Sequence, residues 1–147
     1  MNQVVFHSAD VSISLKNKRQ VKILIQEIFK QENNGLKKVV CVFCSDEYLL
    51  QLNRKHLHHD YFTDTLTFQL SPADQPVEGE IYISTDRIEE NAKLYKVPYE
   101  NELLRVIIHS TLHLCGYKDD SKKLKYQMHQ KENFYIDMYE KYDSRET

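Results

Sequence analysis

The sequence predicts an α+β fold in a single domain. Short alternating segments are interspersed with stretches of helical periodicity, the chain has 147 residues, and neither a repeat nor a linker divides it. The alternating segments number three or four, so the expected sheet is small and mixed, packed with helices.

Each element follows from local pattern. Val4–Phe6 starts a first strand. Residues 17–32 carry Val21, Leu24, Ile25, Ile28 and Phe29 at helical spacing and end near Asn33-Asn34-Gly35, an amphipathic helix. Val39 to Cys44 is an apolar run that reads as a buried strand, and Ser45 can cap a helix from Asp46 to about Lys55. Residues 56–64 are polar and turn-rich. Residues 65–70 alternate as a half-buried strand, whereas 71–79 hold Pro72, Pro76 and Gly79 and read as a loop. A further strand spans 80–84, with Ile81 and Ile83 on one face. Thr85 or Asp86 then caps a helix to about Tyr95, and Glu89 completes a capping box if Asp86 is the cap. Pro98 fits the first turn of the next helix, which is apolar at Leu103, Leu104, Val106, Ile107, Ile108 and Leu112 and stops at Gly116. A more polar last helix covers about 122–142.

Composition narrows the class. Hydrophobic residues make up 41% and charged residues 29%, and three Gly with three Pro exclude collagen-like and low-complexity chains. The formal charge is −2, so nucleic-acid binding would need a local patch. The N-terminus lacks a basic segment followed by a long apolar one, and the longest apolar run is too short to span a bilayer; a cytoplasmic protein without a membrane partner is expected. Cys41 and Cys44 formally read C-x-x-C, but on a strand they point to opposite faces and cannot share a metal, so both belong to the core.

The chemistry is concentrated in His109-Ser110-Thr111-Leu112-His113-Leu114-Cys115-Gly116-Tyr117-Lys118-Asp119. His109 and His113 are four apart on a helix, so both imidazoles leave one face and can bind one ion. Gly116 reverses the chain, and Asp119 can return a carboxylate to the same ion. Two His and one carboxylate leave a position open, as in a catalytic zinc site. A lone H-x-x-x-H is a weak signal, since paired histidines also occur as satisfied core or surface residues. The apolar helix, the glycine and the later carboxylate add specificity. The ligand and glycine spacing also matches metzincin proteases, but Ser110 stands where their glutamate base belongs, and a serine hydroxyl cannot take a proton from water near neutral pH. The H-x-E and P-C-x-x-C elements of the zinc deaminases are absent.

At these residues the chain resembles the YbeY family of bacterial endoribonucleases and ribosomal-RNA maturation factors, whose motif reads H-G-x-L-H-L-x-G-Y-D-H. His109, Leu112, His113, Leu114, Gly116 and Tyr117 match it. Upstream, Leu52-Asn53, the segment from His56 to Asp64, the strand from Thr65 and Gly79-Glu80-Ile81-Tyr82-Ile83 follow the family order; downstream, Met128 and Glu132 fit its last helix. The likeness runs from about Leu52 to Glu132. It implies a zincin-like fold with one zinc ion on a central helix and the turn after it. It further implies hydrolysis of single-stranded RNA, in maturation of the 3′ end of small-subunit (16S) ribosomal RNA and in ribosome quality control. The implied partner is ribosomal RNA or the small subunit. The departures are Asp119 in place of the third histidine, Lys118 in place of the preceding aspartate, Leu57 in place of an arginine, and Phe62 in place of the proline before Thr63.

The expected metal ligands are therefore His109, His113 and Asp119, with Asp120 as the competing register. No general base is assignable. Lys118 and Lys122, with Lys123 and Lys125 beyond them, can meet phosphates, and a solvated helix face explains them equally. His56, His58 and His59 form either a polar surface loop or a second metal site; His129 reads as a surface residue. Asp60 and Asp64 are turn caps or groups that orient an imidazole. The rival readings are a ribosome assembly factor with a structural zinc, favoured by Leu57, and a metalloprotease, opposed by Ser110.

Overall fold

The computed structural model describes residues 3–13, 15–59 and 62–146, with side chains as far as Tyr142; Asp60 lies outside them. Nine elements follow one another: β1 (Val4–Ser8), α1 (Lys18–Gln31), β2 (Leu36–Cys44), α2 (Asp46–Leu57), β3 (Thr65–Gln69), β4 (Val77–Ser84), α3 (Thr85–Tyr95), α4 (Tyr99–Leu114) and α5 (Lys122–Glu146). The four strands form one mixed sheet in the order β1-β2-β4-β3. β1 and β4 flank β2 in parallel, and β3 closes the edge antiparallel to β4. This is the expected α+β architecture.

The sheet divides the core. One face presents Val39, Cys41, Phe43, Ile81 and Ile83 to Val21, Ile25 and Phe29 of α1 and to Val106 and Ile107 of α4. On the opposite face Cys44 and Leu66 pack in one buried cluster with Leu49 of α2. Cys41 and Cys44 thus lie in different cores, as the period-two geometry of a strand requires. A third cluster joins Leu24 and Ile28 of α1, Ile108 and Leu112 of α4, and Met128 and Tyr135 of α5. α4 therefore packs on the sheet with one side and on α1 and α5 with others. That explains why its sequence is so apolar, and it leaves one narrow stripe for polar groups.

Several boundaries depart from the sequence pattern. β4 begins at Val77 rather than 80, so Gly79 lies inside a strand and not in a loop. A Cβ at Gly79 would stand 2.9 Å from Leu114 Cδ2, so the glycine is what lets α4 approach the sheet. β2 begins at Leu36, where its extension pairs with Val77. Ser84, not Thr85 or Asp86, caps α3 by accepting the Arg87 N–H at 3.1 Å. Asp86 instead accepts the Asp46 N–H at the start of α2, and Glu89 pairs with Lys93. Pro98 is the residue before the first turn of α4 and not within it. α2 continues through His56 to Leu57, and α5 runs four residues past Tyr142. Among the described residues, no helix is long and apolar enough to cross a membrane.

Candidate metal centre

The C-terminal end of α4 is closed by hydrogen bonds that fix the turn. Tyr117 N–H donates to Leu112 O and Gly116 N–H to His113 O, each at 3.0 Å, with Gly116 at a φ of +100°. This paired arrangement needs a left-handed residue at Gly116, as its position in the sequence predicts. The turn carries the Tyr117 carbonyl back over the helix, where it lies 2.9 Å from His113 Nδ1. A carbonyl only accepts, so His113 carries its proton on Nδ1 and its lone pair on Nε2.

His109 is oriented from another helix. Its Nδ1 lies 2.6 Å from Glu132 Oε2 on α5, and the other oxygen of Glu132 accepts from Arg105 at 2.9 Å. Burial pushes the Glu132 carboxyl upward, but the hydrogen bonds from His109 and Arg105 outweigh it and hold it below the usual range. For His109 burial works downward, and the hydrogen bond and charge of Glu132, with Asp119 and Asp64 nearby, hold the imidazole above its ordinary value. The charged Glu132 accepts a hydrogen bond from Nδ1–H, which leaves the His109 lone pair on Nε2, facing the site.

The two Nε2 atoms are 3.0 Å apart, and Asp119 Oδ2 is 3.4 Å from each. In neutral histidines three lone pairs then converge on one point, which repels unless a cation lies between them. A tetrahedral ion with bonds of about 2.0–2.1 Å separates its ligands by about 3.3 Å, close to these three distances. The residues fit a divalent metal ion, and among the described residues this is the one group of three or more His, Cys, Asp or Glu side chains close enough to hold one. Asp119, not Asp120, faces the histidines.

Other expectations resolve by position. Ser110 is fully buried, and its hydroxyl donates to Val106 O at 2.7 Å and pairs with Thr65 Oγ1 of β3 at 2.8 Å. It ties the helix to the edge strand and faces away from the ion position. His56, His58 and His59 close α2 and its exit and, among the described residues, belong to no group placed to hold a metal ion; His56 packs edge-on against Phe68, and His58 is the left-handed cap. His129 is exposed, 3.7 Å from Glu132. Asp64 borders the same cavity as His109, but the imidazole's hydrogen bond goes to Glu132. Lys118 and Lys122 are exposed on either side of Asp119 in sequence, and Leu57 is exposed at the end of α2.

Two supports have no signal in the sequence. Glu132 fits a family position, but nothing near it along the chain names its partner. Glu32, at the end of α1, accepts the Tyr117 hydroxyl at 2.6 Å, the Tyr135 hydroxyl, and Lys131 at 3.2 Å. It anchors the turn that orients His113. No local pattern announces either contact.

Comparison with known proteins shows the family of the chain. The sequence model of the family described as Endoribonuclease YbeY matches residues 3–140. A protein named Endoribonuclease YbeY from Cytophaga hutchinsonii is 41% identical over 130 residues, covering 88% of this chain and 91% of that one. One of the same name from Chlorobium limicola is 45% identical over 113 residues, covering 77% and 78%. The solution structure of TM1509 from Thermotoga maritima superposes with a TM-score of 0.65 at 29% identity, over 97% of this chain and 93% of that one. A family model matched over residues 3–140 and relatives 41% and 45% identical over most of the chain lead to one conclusion: the chain belongs to the endoribonuclease YbeY family of hydrolytic nucleases.

Proposed function

We propose that the chain, acting as one domain over residues 1–147, is a zinc-dependent endoribonuclease for single-stranded RNA. Its place is the cytoplasm, in maturation of the 3′ end of 16S ribosomal RNA and in ribosome quality control, with the small subunit as partner. The observation that carries this is the convergence of His109 Nε2, His113 Nε2 and Asp119 Oδ2 in a chain of this family. Two imidazoles and one carboxylate suit zinc among the common divalent ions and leave a coordination position open. When bound, the ion supplies Lewis acidity toward a water or phosphate oxygen.

The chain's own residues do the rest. His109, His113 and Asp119 hold the ion. Glu132 and the Tyr117 carbonyl keep both imidazoles in the tautomer that binds. Lys118 and Lys122 meet the phosphate backbone. Ser110 takes no part in proton transfer, because its hydroxyl is spent inside the helix–sheet contact. That removes the glutamate base of a metzincin and argues against peptide cleavage.

The test is cleavage of a single-stranded RNA spanning the 16S 3′ end. Native protein nicks it, and chelator or His113→Ala abolishes the nicking. Undiminished cleavage after complete metal removal counts against the reading. One observation favours a second reading, an assembly factor with a structural zinc: Leu57, where the family has arginine, is 40% exposed and offers no charge to a phosphate. Metal-loaded protein that co-sediments with small subunits yet cuts no RNA would select it.

A further inference from the structure

A cavity of about 1060 Å³ opens beside His109 and runs along α4 toward its N-terminus. Glu102 lines it, seven residues before His109. Seven residues are nearly two full turns, so both side chains leave the same face, about 10 Å apart along the axis. Glu102 is 6% exposed, yet its carboxylate has a single hydrogen bond among the described residues, from Asn91 Nδ2 at 3.5 Å. Glu132, another carboxylate at this cavity, is by contrast held by His109 and Arg105. The second oxygen of Glu102 reaches the cavity rather than being sealed from solvent, and burial with Asp64 nearby raises the carboxyl, so donors from a ligand would favour its charged form. Tyr95 and Tyr99 also border the cavity, and aromatic side chains are what bases stack on.

We infer that this cavity is a nucleobase pocket, in which Glu102 reads guanine by accepting its N1–H and N2–H beside the bond that is cut. The inference rests on the endoribonuclease reading above. Among the four bases, only guanine presents two adjacent N–H donors on its Watson–Crick edge, the match for a carboxylate's two oxygens. Adenine and cytosine each set a ring-nitrogen acceptor beside their amino group, which meets the second oxygen in repulsion. Uracil offers one N–H between two carbonyls. RNA bases in single strands are recognised in this way, by stacking and by their edges.

The experiment uses metal-loaded protein and fluorescent oligouridylates that each carry one guanosine, adenosine or inosine. Anisotropy measures binding, and gel mapping measures cleavage. The guanosine strand should bind about tenfold or more tighter than the adenosine strand, the scale of a two-pronged base contact. Inosine, which lacks the 2-amino group, should lose most of that advantage. Glu102→Gln should bring the guanosine-to-adenosine ratio close to one. Equal binding of all three strands by native protein overturns the inference, as does a preference that survives Glu102→Gln. If Glu102 serves only the positive end of the helix, the variant shifts the thermal midpoint and leaves base preference unchanged. Should the variant fail to fold, the guanosine–inosine comparison on native protein decides. Guanosine preference without any cleavage leaves the pocket standing and removes the nuclease reading. Chelator-sensitive cleavage without base preference does the reverse.

Discussion

His109 and His113 are held by acceptors of different strength, and their supports should differ in consequence. The Glu132 carboxylate is charged and buried, so Glu132→Gln leaves His109 with a neutral partner and should weaken metal affinity about 10- to 100-fold. A competition titration with a chromophoric chelator measures this. Asp119→Ala should lose affinity further, whereas Asp120→Ala, which removes an exposed side chain, should leave the titration unchanged. The reverse order would move the third ligand by one residue. Glu32 acts at a distance from the ion. Burial raises its carboxyl, but the hydrogen bonds from Tyr117, Tyr135 and Lys131 prevail and hold it below the usual value. A carboxyl lowered on folding stabilises the native state above its unfolded pKa, about 4.3, and that contribution disappears as pH falls through the folded value. Glu32→Gln should therefore lower stability by about 2 kcal/mol at neutral pH and flatten the loss of stability on acidification. Denaturant melts at a series of pH values test both effects, and an unchanged acid limb would refute the assignment.

At the scale of elements, two glycines adjust α4 to its surroundings for different reasons. Gly116 has open space around a would-be Cβ but a φ of +100°, so Gly116→Ala strains only the backbone. It should cost about 1–2 kcal/mol and loosen the Tyr117 carbonyl that orients His113, so metal affinity falls along with stability. Gly79→Ala meets Leu114 and the Phe68 carbonyl and pushes the helix from the sheet. It should cost about 1–3 kcal/mol with a smaller effect on metal affinity, because the clash lies on the buried side of α4. Paired thermal melts and metal titrations separate the cases; equal affinity losses would show that helix placement, not the turn, governs the site. Ser110 belongs to the same sheet-facing side, so Ser110→Ala should lose about 1 kcal/mol of stability and retain RNA cleavage.

For the molecule as a whole, the metal position joins elements that the core already holds. α4 is packed against the sheet, α1 and α5 through buried clusters that do not include the histidines. Stripping the metal should therefore leave a folded protein. A ligand present at about a hundred times its Kd adds about 2.7 kcal/mol, so removal should lower the thermal midpoint by about 5–10 °C. Calorimetry with and without chelator checks this, and complete unfolding on chelation would show that the metal is part of the core. Local sequence pattern places most of the elements and puts the histidine pair on one helix face. The 3.6-residue period placed the apolar stripe of α4, Ser45 and Gly116 marked a helix start and a helix end, and the four-residue spacing put His109 and His113 on one face. These are properties of neighbours along the chain, and neighbours are what a sequence displays. The remaining contacts are long-range. Glu132 reaches His109 across 23 residues and Glu32 reaches Tyr117 across 85. Ser110 is a helix–strand tie and Gly79 lies within a strand because β3 and α4 pack against those positions. The partner of a polar side chain, and the room beside a glycine, are set by whichever distant element the hydrophobic core brings next to it.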